Sequence, residues 1–243
     1  MAGSRKSLRR PPPSRRVKPL ALIVCEGEKT EFQYFERFRQ AKRLSATALE
    51  VVPGDTSGSN PKSIVEYARK RSKEQRSEKL PFDRVWCVFD RDEHEWWDDA
   101  LTQARDNGFE VAFSNPCFEL WILLHYVYQS AQIERAAALS KVPEHLPDYS
   151  KSSDIYDTLL PSQTTAVQNA QKLRAYHARN CSPETHNPST TVDRLVEYLN
   201  GLEASRPLAA RPGGAASPDA RGRGGGRSSS RRRASRKTPR TKR

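Results

Sequence analysis

Two short runs of apolar residues without polar alternation, Leu22-Ile-Val-Cys25 and Val85-Trp-Cys-Val-Phe89, are each closed at once by acid. Glu26 with Gly27 follows the first, and Asp90-Arg-Asp92 follows the second. A run of this kind marks a strand covered on both faces, as in the middle of a parallel sheet. Between and beyond them the pattern changes to helical spacing. Thr30 precedes Gln33 at capping-box distance, and Phe32, Phe35 and Phe38 predict a helix over 31–44. Residues 49–52 predict a second strand and 53–58 a loop. Asn60-Pro61 predicts a capped helix with Ile64, Val65 and Ala68 on its buried side and 69–79 as a charged solvent face. Trp96, Trp97, Ala100, Leu101 and Ala104 predict a helix over 94–107, stopped by Asn107-Gly108, and 109–113 a fourth strand.

Asn115-Pro116 then reads as the cap and first position of a very apolar helix. From 131 onward the chain is helical and polar, interrupted by Pro143, Pro147, Pro161 and Pro183, with no strand in sight. Asn187-Pro-Ser-Thr-Thr191 caps a last helix with Val192, Leu195, Val196 and Leu199 on its buried face. Strands alternating with helices predict an α/β fold with right-handed crossovers. The expectation is a four-stranded, mostly parallel sheet flanked by helices over 20–130, with a helical extension over 131–205 packed on it.

Charge divides the chain further. The whole carries +13, of which residues 1–19 supply +7 and residues 206–243 supply +12, so the body over 20–205 stands at −6. A basic pI would otherwise be read as a nucleic-acid-binding domain; here the basicity sits in two arms rich in Pro, Gly, Ser and Arg. Such arms are expected to be disordered and to attract phosphate backbones of DNA or RNA without reading sequence. No apolar run is long enough to span a bilayer, and Leu20–Cys25 is too short for a signal-peptide core. Four cysteines without a C-x-x-C pair fit a reducing, cytoplasmic setting. His177, Cys181 and His186 outline only a partial zinc site, with no evident fourth ligand.

The chemistry lies at the strand ends. In open α/β sheets ligands bind beyond the carboxyl ends of the strands, where Glu26, Asp90 and Asp92 stand. Carboxylates gathered closely must take up protons or a cation, and an all-oxygen set suits Mg²⁺ or Mn²⁺. The predicted reaction is metal-assisted phosphoryl transfer. Glu119, near a helix start on the same rim, joins the candidates, as does Lys29. Lys29 and Arg91 would meet phosphate or balance the acids, or stand as solvated charges. His125 reads as a core histidine or a site residue. Asp90 and Asp92 point the same way only if the chain stays extended between them. Gly27-Glu-Lys-Thr30 is no P-loop, since Leu22 stands where the first glycine belongs.

Cys25-Glu-Gly-Glu-Lys-Thr-Glu31, Phe89-Asp-Arg-Asp92, Ser114-Asn-Pro-Cys-Phe-Glu-Leu-Trp121 with His125, Tyr149-x-Lys151 and Asn187-Pro-Ser-Thr190 occur in that order. Together they resemble the RloB-like proteins, bacterial relatives of the TOPRIM proteins, over about residues 20–200. The resemblance implies a TOPRIM-like fold, Mg²⁺ at Glu26, Asp90 and Asp92, nuclease activity in antiphage defence or abortive infection, and an AAA-type ATPase partner. The basic arms are not part of it. Two other classes stay open: a non-catalytic nucleic-acid-binding or regulatory subunit, and a nucleotidyl transferase.

Overall fold

The computed structural model describes residues 20–46, 48–78, 80–91, 97–179 and 186–204. Both basic arms, Asp92, Trp96 and Cys181 lie outside them, and with them the expectations placed on these residues. Strands β1 (Ala21–Cys25), β2 (Leu49–Val52), β3 (Arg84–Asp90) and β4 (Glu110–Asn115) pair in parallel. A fifth, β5 (Ser189–Thr190), joins β4 antiparallel and completes the order β2-β1-β3-β4-β5. The sheet therefore has five strands and not four.

Residues 131–204 thus do contain a strand. Two residues carry no periodicity, and β5 is held by side-chain hydroxyls as much as by its own backbone. Thr190 Oγ1 donates to the Phe113 carbonyl at 2.8 Å. Thr191 Oγ1 accepts from the Phe113 N–H at 3.0 Å and donates to the Val111 carbonyl at 3.0 Å. Arg174 fixes the segment from behind: it donates to the Thr190 carbonyl at 3.0 Å and pairs through both terminal nitrogens with the fully buried Asp193.

Alternation within β1 and β3 sorts their residues onto two cores. Leu22, Val24, Cys87 and Phe89 pack with Ile64, Val65 and Ala68 of α3 (Pro61–Ser77) and with Trp97, Ala100 and Ala104 of α4 (Trp97–Asp106). Ile23, Cys25, Trp86 and Val88 face Phe35 and Phe38 of α1 (Thr30–Ala41) and Trp121 of α5 (Glu119–Leu123). The same layer takes in α6 (Arg135–His145), α7 (Tyr156–Leu159), α8 (Gln163–Arg179) and α9 (Val192–Ala204), which supply Ala138, Val142, Leu159, Leu173, Leu195 and Leu199. Every side chain of β1 is buried, as expected of a central strand. Cys25, Cys87 and Cys117 are buried free thiols. Among the described residues no helix is long and apolar enough to cross a membrane.

Several local expectations hold. Asn60 caps α3 by accepting from the Ser63 N–H, and Ser63 returns the bond, with Pro61 first in the helix. Gly108, at φ 70°, follows the end of α4 as its stop. Others change. Thr30 does not cap α1, because its hydroxyl donates to the Lys151 carbonyl at 3.0 Å instead. Residues Gly54–Ser57 form a short helix, α2, within the expected loop. Asn115-Pro116 does not start a helix: Asn115 ends β4, its peptide bond to Pro116 is cis, and its side chain donates to the His186 carbonyl at 2.9 Å. The apolar helix α5 begins at Glu119. Asn187-Pro188, also cis, precedes β5 and not the last helix. Pro143 lies inside α6, which runs only two residues beyond it.

Candidate functional site

The chain leaves β1 through Glu26, whose N–H still donates to the Val88 carbonyl at 2.8 Å, one step beyond the strand. Its carboxylate Oε2 accepts the N–H of Asp90 at 3.0 Å, fastening the end of β1 to the end of β3. The next turn is crowded enough to require glycine twice. A Cβ on Gly27 would lie 1.6 Å from Oε2 of Glu31, so the Glu31 carboxylate rests on the bare Cα. A Cβ on Gly54 would lie 1.8 Å from the Glu26 carbonyl oxygen, so α2 packs directly on the backbone of this turn. Ser57 adds a hydrogen bond to the Cys25 carbonyl at 2.9 Å.

Asp90 closes β3 on the face of Trp86 and Val88, at 7% exposure. Strand alternation sends Arg91 to the other face. Its N–H donates to the Ser114 carbonyl at 2.8 Å, and its guanidinium lies 5.1 Å from the centre of the Trp97 ring. Of the roles open to Arg91, balancing Asp90 therefore does not apply, because it lies on the opposite face. Glu119, buried at the start of α5, accepts from the Tyr149 hydroxyl at 2.9 Å. Glu31, in the first turn of α1, is buried as well.

Several of these groups line an open cavity of about 300 Å³. Its acids are Glu28, Glu31, Asp90 and Glu119, its cations Lys29, Arg135 and Lys151, and its remaining walls Gly27, Thr30 and Phe118. Glu26 does not line the cavity but is bonded to Asp90, which does. Arg135 Nη2 stands 3.4 Å from Asp90 Oδ2. Arg135 and Lys151 both come from beyond the parallel strands and are held there. Asn187 Oδ1 accepts the N–H of Ile133, two residues ahead of Arg135, at 3.0 Å. Thr30 grips the Lys151 carbonyl, and Arg37 of α1 pairs with Asp154 at 2.8 Å and Asp157 at 2.6 Å.

The electrostatics follow from this packing. Burial, then the charge of Glu31, pushes the Asp90 carboxyl well above the ordinary carboxylate range, against the pull of Arg135. Burial also raises Glu31 to about 7, helped by Glu119 and Glu26 and opposed by Lys151. The Tyr149 phenol is pushed up by burial and by the adjacent Glu119. The pocket thus holds more carboxylate than its own cations neutralise, in surroundings that disfavour bare charge.

Of the sequence candidates, Glu26, Asp90, Glu119 and Lys29 come together at this rim, and Asp92 lies outside the described residues. His125 does not line the cavity. It is buried, donates from Nδ1 to the Trp121 carbonyl at 2.9 Å, and is pushed down to about 4 by burial. His177 and His186 stack with ring centres 4.4 Å apart, and His177 Nε2 bonds the Pro188 carbonyl at 2.7 Å.

Sequence reasoning missed Glu31, Arg135 and Lys151 as site residues. Glu31 left a signal: it falls in the buried stripe with Tyr34, Phe35 and Phe38, where an acid is out of place. Among the described residues no three His, Cys, Asp or Glu side chains form a ready metal cage. The donors nevertheless fit a hard cation in kind, being all oxygen, with Glu31, Asp90 and Glu119 buried. A family model described as RloB-like protein matches residues 21–199. No curated protein and no solved structure matches the chain.

Proposed function

The chain belongs to the RloB-like family, and from that premise we propose that it is a Mg²⁺-dependent, TOPRIM-type nuclease that hydrolyses phosphodiester bonds of DNA or RNA in bacterial antiphage defence. The observation that carries this reading is the hydrogen bond joining Glu26 to Asp90 at the carboxyl ends of two adjacent parallel strands, with Asp90 lining one cavity together with the buried Glu31 and Glu119. Glu26, Asp90 and Asp92 would hold the cation, Mg²⁺ or Mn²⁺, which when bound polarises a phosphate oxygen and lowers the pKa of water. Glu26 also fixes the Asp90 backbone, so its carboxylate sets the spacing of the two strand ends. Glu119, oriented by Tyr149, would accept a hydrogen bond from a water in the cavity. Lys29, exposed on the rim, meets the approaching phosphodiester. The basic arms raise the local concentration of nucleic acid, and the AAA-type ATPase that the family resemblance implies would act as the regulatory partner.

The test is cleavage of tRNA, single-stranded and duplex substrates with Mg²⁺ or Mn²⁺, with Glu26→Gln and Asp90→Asn protein alongside the parent. The expected result is metal-dependent cutting that both substitutions abolish. Cutting by both variants at the parent rate would refute the assignment. A second reading, a non-catalytic nucleic-acid-binding subunit, draws on the contrast between arms at +7 and +12 and a body at −6. It predicts binding that survives EDTA and Glu26→Gln but is lost when 1–19 and 206–243 are deleted.

A further inference from the structure

Arg135 and Asp90 make an unequal pair. The Asp90 side chain is 10% exposed and the Arg135 side chain 37%, with 3.4 Å between Nη2 and Oδ2. The acid is fixed at the end of a buried strand, whereas the guanidinium reaches it from the first residue of α6 with solvent on one side. A divalent ion at Asp90 would bring like charge to within a few ångströms of that guanidinium, so each weakens the other's hold on the carboxylate. Of the two partners only Arg135 has room to leave. On leaving, it remains at the wall of the same cavity, beside Lys151, whose position is fixed by the Thr30 bond to its carbonyl. A guanidinium freed there presents a planar fork of N–H donors matched to two phosphate oxygens.

We propose that Arg135 is an exchangeable counter-ion: it neutralises Asp90 in the cation-free protein, yields Asp90 to a divalent ion, and then binds the substrate phosphodiester beside Lys151. This rests on the metal-dependent nuclease reading and adds an order of events to it. The cation must arrive before the phosphodiester can be gripped, and each then favours the other. Arg135 is accordingly a resident inhibitor of metal binding and a promoter of substrate binding.

Calorimetric titration of the full chain with Mn²⁺, with and without dimethyl phosphate as the smallest phosphodiester, separates these roles. Arg135→Ala should bind Mn²⁺ about fivefold more tightly than the parent, the equilibrium equivalent of a part-exposed ion pair. Dimethyl phosphate should tighten Mn²⁺ binding in the parent and have no effect in Arg135→Ala. Arg135→Lys, which keeps the charge but loses the fork, should bind Mn²⁺ like the parent and show a reduced phosphodiester effect. Loss of Mn²⁺ affinity in Arg135→Ala, or affinity equal to the parent's, would overturn the exchange while leaving the nuclease reading intact. An unchanged Mn²⁺ isotherm in Asp90→Asn would remove the metal site itself, and with it both proposals.

Discussion

Replacing Glu31 by Gln tests whether the pocket holds a carboxyl against its own preference. Glu31 is 8% exposed and its proton is held to about pH 7 in the folded chain, against an ordinary 4.5. Its folded pKa is raised, so between those two values the native state keeps a proton that the unfolded chain has released. Stability therefore falls as pH rises through that window and stays low above it. At about 1.4 kcal/mol per pH unit, the cost above pH 7 reaches about 3 kcal/mol at most. Glutamine has the same shape and nothing to ionise. Urea unfolding in EDTA, followed by tryptophan fluorescence from pH 4 to 8, should give equal stabilities for parent and Glu31→Gln at the acid end. At pH 8 the variant should be more stable by about 2–3 kcal/mol. Glu31→Gln also removes the charge that helps hold the Asp90 carboxyl up, so part of the difference passes through Asp90. Saturating Mg²⁺ at pH 8 should narrow the gap by stabilising the parent. A difference that is absent at pH 8, or the same at every pH, would refute the reasoning.

The two crowded glycines should respond differently to the same added methyl. Gly54→Ala sets a Cβ 1.8 Å from a backbone oxygen and should cost about 3 kcal/mol or more in urea unfolding. Gly27→Ala meets the end of the Glu31 side chain, so it should displace that carboxylate and impair Mg²⁺-dependent cleavage at a stability cost nearer about 1 kcal/mol. Arg174→Met strands the fully buried Asp193 and should lower stability by about 3–5 kcal/mol. Hydrogen exchange should show the amides of β4 and β5 losing protection first.

Much of the site could be read from the residues because its two strand-end acids interrupt apolar runs, and burial of a whole strand leaves no other use for such a run. Glu26 and Asp90 announce themselves in that way. Glu31 hides because an acid in the first turn of a helix has an ordinary explanation, the attraction of the helix dipole; only its position among Tyr34, Phe35 and Phe38 argues otherwise. Arg135 opens a polar helix like many others, and what brings it to Asp90 is the Asn187 side chain more than fifty residues later. The fifth strand is equally silent in the sequence, since its register is set by threonine hydroxyls and by Arg174 rather than by a hydrophobic pattern. Helix α5 starts only at Glu119 because Asn115, read as its cap, ends β4 instead.

The late placement of β5 has a bearing on how the molecule is made. A ribosome that has delivered residues up to 130 has released all four parallel strands and their terminal acids, but neither of the cations that α6 and the segment before α7 contribute, nor the residues that cover the β4 edge. Synthesis must pass Thr191 before that edge is covered and Asn187 can anchor the approach to Arg135. The cavity therefore gains Arg135 and Lys151, and the sheet its covered edge, only with residues made after the last parallel strand.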